Sequence, residues 1–224
     1  MDYTLRMFVC ICIAIAVGVQ NGAAITSCPE LEGVQVYPDA VACDKFFLCI
    51  NGTLTFETCP NGLLFDGLGE VTHYCRYEWQ VDCGDRKERA LPISTEFCPW
   101  LYGIFPITPT CNTQFYKCAE GEAFITDCEP GLAYDDRIHA CNWPDLLDCN
   151  SEQVVGFSCP KKPKGLPARF YPHPRYPHTD CTRYITCVNN VHPRLISCGH
   201  GMGFNPDTLG CEELKHLPGC QPLL

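Results

Sequence analysis

The chain has 224 residues, including 20 Cys, 18 Gly and 19 Pro, and its 26 acidic and 16 basic residues give a net charge of −10. So high a cysteine count excludes an ordinary intracellular domain and marks a disulfide scaffold from an oxidising compartment. Charged residues at 19% exclude a highly charged disordered tail.

Met1 to Arg6 is a short polar start, and Met7 to Val19 is an unbroken apolar run of 13 residues. That run is too short to span a bilayer. It suits the apolar region of a secretory signal peptide, with Gly22 and Ala24 as the small residues before a cut after Ala24. Residues 1–24 are therefore predicted to be a signal peptide. Cys10 and Cys12 leave with it, and a Cys-x-Cys metal or redox site does not fit inside such a run. The mature chain would keep 200 residues (224 − 24) and 18 Cys (20 − 2), an even number as a closed disulfide framework needs. No other apolar stretch approaches membrane length, so no membrane contact is expected after signal removal.

The 18 cysteines fall into three blocks of six. Block one is Cys28, Cys43, Cys49, Cys59, Cys75 and Cys83, with gaps of 14, 5, 9, 15 and 7 residues. Block two is Cys98, Cys111, Cys118, Cys128, Cys141 and Cys149, with gaps of 12, 6, 9, 12 and 7. Block three is Cys159, Cys181, Cys187, Cys198, Cys211 and Cys220, with gaps of 21, 5, 10, 12 and 8. The recurrence marks one module used three times. The expected domains are 28–83, 98–149 and a divergent 159–220. Gly84 to Phe97 and Asn150 to Ser158 are read as linkers. Modules this small need staples, because apolar burial alone does not stabilise them.

Each block opens with Cys-Pro and then repeats the same strand signals. In block one, Phe46 to Ile50 reads as a strand, Asn51-Gly52 as a tight hairpin turn and Thr53 to Thr58 as the alternating return strand. Glu120-Gly121 and Asn189-Asn190 hold the turn in blocks two and three. Pro193 interrupts the return strand of block three, which places that strand at a sheet edge or breaks it. After the fourth Cys each block has a Gly, two residues, an aromatic and a turn residue: Gly62 to Asp66, Gly131 to Asp135 and Gly201 to Asn205. A second, smaller hairpin is expected there, and no helix of useful length. The fold class is thus small disulfide-rich β modules: three tandem cysteine-stapled domains, each a short antiparallel sheet plus a small hairpin.

At these residues the block resembles the type 2 chitin-binding, or peritrophin-A, domain. The carriers are the six-Cys spacing, the aromatics before the third Cys (Phe46-Phe47, Phe115-Tyr116, Tyr184), the Gly-x-x-aromatic-Asp/Asn stretch and Cys141-Asn142-Trp143-Pro144. Three such domains behind a signal peptide resemble the obstructor group of cuticular proteins analogous to peritrophins. Spacing alone leaves 15 connectivities open for six cysteines. The resemblance implies first–third, second–sixth and fourth–fifth pairing. That gives Cys28–Cys49, Cys43–Cys83 and Cys59–Cys75; Cys98–Cys118, Cys111–Cys149 and Cys128–Cys141; Cys159–Cys187, Cys181–Cys220 and Cys198–Cys211. Blocks one and three depart from the family at Arg76-Tyr77 and Glu212-Glu213, where Asp/Asn-Trp is usual.

The resemblance implies a secreted, non-catalytic structural protein that binds and cross-links chitin in cuticle or extracellular matrix. No cofactor, metal or nucleic acid is expected. A sugar polymer of this kind needs a flat apolar surface for its ring faces and hydrogen-bonding groups for its rim. On a strand, Phe46 and Phe47 point to opposite faces, as do Phe115 and Tyr116. One of each pair belongs to the core and the sequence does not choose between them. The candidates for chitin are Phe47, Tyr116 and Tyr184 on the strand; Phe65, Asp66, Tyr134, Asp135, Phe204 and Asn205 in the second hairpin, the site the resemblance favours; and Trp79 and Trp143. The hairpin Asp and Asn serve equally well as turn caps. Asn51-Gly52-Thr53 is a sequon on a hairpin tip, so Asn51 is a candidate for N-glycosylation.

Charge divides the blocks. Cys28 to Cys83 carries 2 basic and 9 acidic residues, Cys98 to Cys149 carries 2 and 8, and Cys159 to Leu224 carries 8 and 4 with five of the seven His. Blocks one and two are expected to carry most of the chitin binding, and the basic third domain to contact other matrix proteins. A gut peritrophic-matrix protein or an extracellular protein-binding scaffold is the alternative. An enzyme is not expected: no catalytic triad is recognisable, and Asp66 and Glu70 sit in a module too small for a deep substrate cleft. His173 and His178 are separated by Pro and lack a third ligand, which favours an exposed loop over a metal site.

Overall fold

The computed structural model describes residues 25–161 and 173–220. The expected signal peptide, with Cys10 and Cys12, lies outside them. The chain divides into two compact units, and apart from Pro60–Leu63, which belong to the second, the change falls between Arg89 and Ala90. The first holds block one. The second holds blocks two and three.

Block one begins with a three-stranded antiparallel sheet of β1 (Val34–Pro38), β2 (Lys45–Ile50) and β3 (Thr53–Thr58), with β2 in the centre. Asn51 and Gly52 join β2 to β3 with φ of 46° and 78°. Positive φ at both central residues suits the twist of paired strands, and Asn-Gly adopts it at low cost. A small hairpin of β4 (Leu63–Phe65) and β5 (Cys75–Tyr77) packs beneath, followed by a 3₁₀ turn, Glu78–Gln80.

Block two repeats this with β6 (Gly103–Pro106), β7 (Gln114–Ala119) and β8 (Glu122–Asp127), then β9 (Ala133–Asp135) and β10 (Ala140–Asn142). Block three has β11 (Arg175–Pro177), β12 (Arg183–Val188) and β13 (His192–Ser197), then β14 (Met202–Asn205) and β15 (Gly210–Glu213). Pro193 sits within β13 opposite Cys187, and β13 is an unbroken edge strand.

Nine disulfides join first to third, second to sixth and fourth to fifth cysteine in every block. They close loops with sequence separations from 13 to 40 residues. Each bond of this kind contributes about 2–4 kcal/mol, mainly by restricting the unfolded chain. The cores are otherwise thin. In block one the buried apolar side chains besides cysteine are Ala42, Phe46, Leu63, Leu64, Phe65 and Tyr77.

Both segments read as linkers have structure. After Cys83 the chain returns, and Glu88 forms a parallel bridge with Ala42. After Cys149, residues Ser151–Val155 form a short helix, α1. The Asn150 side chain caps its first amides, and Gly156 ends it in the left-handed region at φ 70°. Helix α1 packs against β13, so it ties block three to the end of block two.

Candidate functional site

The two faces of each three-stranded sheet have different fates. The face toward the small hairpin is core. Phe46 stacks on Phe65 at 4.7 Å between ring centroids, Phe115 on Tyr134 at 5.0 Å and Tyr184 on Phe204 at 4.9 Å. One aromatic pair thus recurs in all three blocks, and its strand member always lies three residues before the third cysteine. Phe65, Tyr134 and Phe204 are only 3%, 8% and 4% exposed. These three rings hold the hairpin to the sheet, and little of each reaches the surface. Burial also pushes the Tyr134 hydroxyl well above the usual tyrosine range, aided by the Asp136 charge beside it.

The turn residues are occupied as well. Asp135 is buried. It accepts hydrogen bonds from Arg137 Nε and Nη2, both at 2.8 Å, and from Asn142 Nδ2 at 3.1 Å. These bonds, above all those from Arg137, hold its carboxyl well below the ordinary range despite burial. Asp66 accepts from the Leu68 and Gly69 amides and pairs with Arg76 at 3.3 Å. Asn205 accepts from the Asp207 amide and donates to Glu212. All three cap turns.

The opposite sheet face is where blocks one and two stay open. Register places Tyr37, Phe47 and Phe56 side by side across β1, β2 and β3. Phe47 and Phe56 rings are 4.8 Å apart, and Phe56 is 53% exposed. Strands are about 4.8 Å apart, so the row is roughly 10 Å long. Polar groups flank it: Tyr37 donates its hydroxyl to Glu30, and Lys45 lies 6.0 Å from the Phe56 ring centre. The Glu30 contact raises the Tyr37 pKa. Gln35 Oε1, also on this face, is buried with no hydrogen-bond partner among the described residues.

Block two has the same row as Phe105, Tyr116 and Ile125. Phe97 adds a ring 5.4 Å from Tyr116 and is half exposed. A cavity of about 480 Å³ opens here, lined by Phe97, Phe105, Ile107 and Tyr116 among others.

Block three closes its counterpart. The row is Tyr176, Ile185 and Leu195. Ile185 and Leu195 are buried, Phe157 packs on Tyr176 at 5.2 Å and α1 lies on β13. Tyr184 points to the other face and is half buried against Phe204. Of the remaining candidates, Trp79 is 39% exposed and stacks on Tyr77 at 4.7 Å. Trp143 is half buried under the guanidinium of Arg194, 5.2 Å from its ring centre. Asn51 is exposed at its turn, with its side chain accepting from the Gly33 amide.

The first member of each row was missed in the sequence. A signal for it exists: an aromatic followed by Pro stands five or six residues before the second cysteine in every block, as Tyr37-Pro38, Phe105-Pro106 and Tyr176-Pro177.

The disulfide frame, paired hairpins and aromatic faces define a tandem array of carbohydrate-binding modules of the peritrophin type, and the chain belongs to the chitin binding Peritrophin-A domain family, which matches residues 28–83, 98–149 and 165–220. The third match starts after Cys159, which the structure nonetheless bonds to Cys187. Among curated proteins the chain is 33% identical over 230 residues to Protein obstructor-E of Drosophila melanogaster, covering 96% of this chain and 88% of that one. It is 29% identical over 121 residues to Peritrophin-1 of Anopheles gambiae, covering 50% of this chain and 76% of that protein. It also matches Probable chitinase 10 of Drosophila melanogaster at 26% over 195 residues, covering 78% of this chain but 8% of that protein.

Proposed function

We propose that this chain is a secreted, non-catalytic structural protein of an extracellular matrix that binds chitin through the open sheet faces of blocks one and two. The observation that carries the reading is the cross-strand row of apolar side chains, the rings of Tyr37, Phe47 and Phe56 in block one and of Phe105 and Tyr116 with Ile125 in block two, on two modules of one chain. Rings held side by side on a disulfide-stapled sheet present a flat surface at little entropic cost, and the apolar faces of pyranose rings stack on such surfaces. Two modest sites on one chain gain by effective concentration when both meet one fibre. On separate fibres the same two sites cross-link them.

The likeness to obstructor-E and Peritrophin-1 supports placement in a cuticle or peritrophic matrix. Against catalysis stands the use of the small-hairpin carboxylates as turn caps. Among the described residues no group of three or more His, Cys, Asp or Glu is arranged for a metal. The basic third domain is proposed to meet other matrix proteins, since its own sheet face is closed.

Retention of the oxidised protein on chitin beads tests the reading. Replacing Phe47 and Phe56 together, or Phe105 and Tyr116 together, by Ala should each weaken retention, and all four together should abolish it. Undiminished retention of the fourfold variant would sink the assignment to these faces.

A further inference from the structure

We propose that the cleft beside the sixth cysteine of block two is a binding site for an arginine side chain presented by a partner polypeptide. The inference starts from a difference between repeats. In block one the chain after Cys83 folds back and lays Arg86 into this cleft. Its Nη1 and Nη2 each donate to the Phe65 carbonyl at 3.4 Å, its Nε to the Cys83 carbonyl at 3.3 Å, and its Nη2 also to the Asp82 carbonyl at 3.4 Å. Asp39 and Asp82 supply the opposing charge. Block one therefore shows which group this wall of the module accommodates.

Block two has much of this wall without the plug, with Ile107 in place of Asp39. Tyr134, Asp148 and Cys149 stand where Phe65, Asp82 and Cys83 stand. With Pro106, Thr108 and Asp136 they line an open cavity of about 420 Å³. The reason it is open lies in the sequence. Three residues beyond the sixth cysteine, Arg86 of block one is replaced by Glu152. Asn150 caps α1 instead, and the segment that would return runs onto β13.

An arginine fits this space for three reasons. Its apolar stem matches the ring of Tyr134 and Pro106. Its planar donors suit several oxygens at once, as Arg86 does in block one. The exposed Asp136 and Asp148 and the acid excess of block two attract a cation. Asp135 takes no part, because Arg137 and Asn142 already occupy it.

Isothermal titration of the full oxidised chain with Nα-acetyl-arginine amide, against its neutral citrulline counterpart, is the experiment. The arginine probe should bind and the citrulline probe should not. The double variant Asp136→Asn/Asp148→Asn should weaken arginine binding about tenfold, the scale of a charge-assisted hydrogen bond, while chitin-bead retention stays unchanged. Equal binding of both probes, no binding of arginine, or an unchanged affinity in the double variant would each overturn the proposal. So would an N-acetylglucosamine tetramer that outcompetes arginine at this cleft. A second arm uses block one. Arg86→Ala empties its cleft, and millimolar methylguanidinium should raise the Tm of that variant but not of the parent; the absence of that rise also counts against the site.

Discussion

Asn205 Nδ2 donates to Glu212 Oε2 at 3.0 Å, tying the two strands of the small hairpin in block three. The same two positions hold Asp66 and Arg76 in block one, at 3.3 Å, and Asp135 and Asn142 in block two, at 3.1 Å. In block three the donor and the acceptor have exchanged places. Arg76 and Glu212 looked like departures from a sugar-binding motif, but each is the chemical complement of its own turn residue. An Asp opposite Glu212 would set two carboxylates together, so Asn at 205 and Glu at 212 belong together.

That complementarity is testable by exchange. Asn205→Asp alone and Glu212→Asn alone should each lower the Tm of block three, the first more because it adds like-charge repulsion. The double exchange rebuilds the pair of block two and should recover most of the loss. A double-mutant cycle followed by thermal melts measures the coupling, and strictly additive losses would show that the pair is not a unit.

Phe65 and Phe47, on opposite sides of the block-one sheet, should separate stability from binding. Phe65→Ala removes the ring under Phe46 and should cost about 3–5 kcal/mol, as large buried aromatics do. In so small a module that amounts to unfolding of block one between its disulfides. Phe47→Ala, on the open face, should leave the melt of the module nearly unchanged and reduce chitin-bead retention. A variant at Phe47 that unfolds block one, or one at Phe65 that melts like the parent, would reverse the assignment of the two faces.

Much of this fold was readable in the sequence because cysteine spacing is a periodic signal that survives divergence. The hairpins were equally plain, since Asn51-Gly52 and the alternation of Thr53 to Thr58 each dictate local geometry. The open face was not. Strand alternation shows that Phe46 and Phe47 part company, yet only the position of the second hairpin decides that Phe46 is covered and Phe47 is not. The hairpin aromatics Phe65, Tyr134 and Phe204 were candidates because the resemblance favours the second hairpin; here each ring stacks on a strand aromatic instead. Helix α1 escaped notice because five residues carry no periodicity, although Asn150 and Gly156 are its start and stop signals.

Closure of the third sheet face makes a prediction about valency. Ile185 and Leu195 are buried, and α1 lies over their edge strand. A chain ending at residue 149 should therefore keep close to the full chitin retention of the parent. Removing block one instead should lower retention markedly, because one open face then remains and the gain from effective concentration is lost. Bead-binding isotherms of the two truncations decide it: a chain lacking block three that binds as poorly as one lacking block one would mean that block three holds chitin by a surface other than this row.

One ion pair joins block three to block two beside the packing of α1 on β13. Arg194 Nε and Nη2 donate to the two Asp145 oxygens at 2.8 and 2.7 Å, and the guanidinium lies over Trp143. The side chains are 21% and 6% exposed, so the pair is largely shielded from water. Arg194 holds the Asp145 carboxyl below its ordinary range despite its burial. A depressed carboxyl stabilises the folded contact at any pH above its unfolded value, and that contribution is lost as pH falls through the folded value. The contact should accordingly be constant from neutral pH down to the ordinary carboxylate range and weaken only below it. Arg194→Ala should cost about 1.5–3 kcal/mol, the worth of a hydrogen bond to a charged group, and should flatten the acid limb. Hydrogen exchange at the α1 and β13 amides, measured against pH for both proteins, reads this out: an acid limb that persists in the variant would assign it to another group, and a transition centred near pH 6 in the parent would assign the contact to histidine.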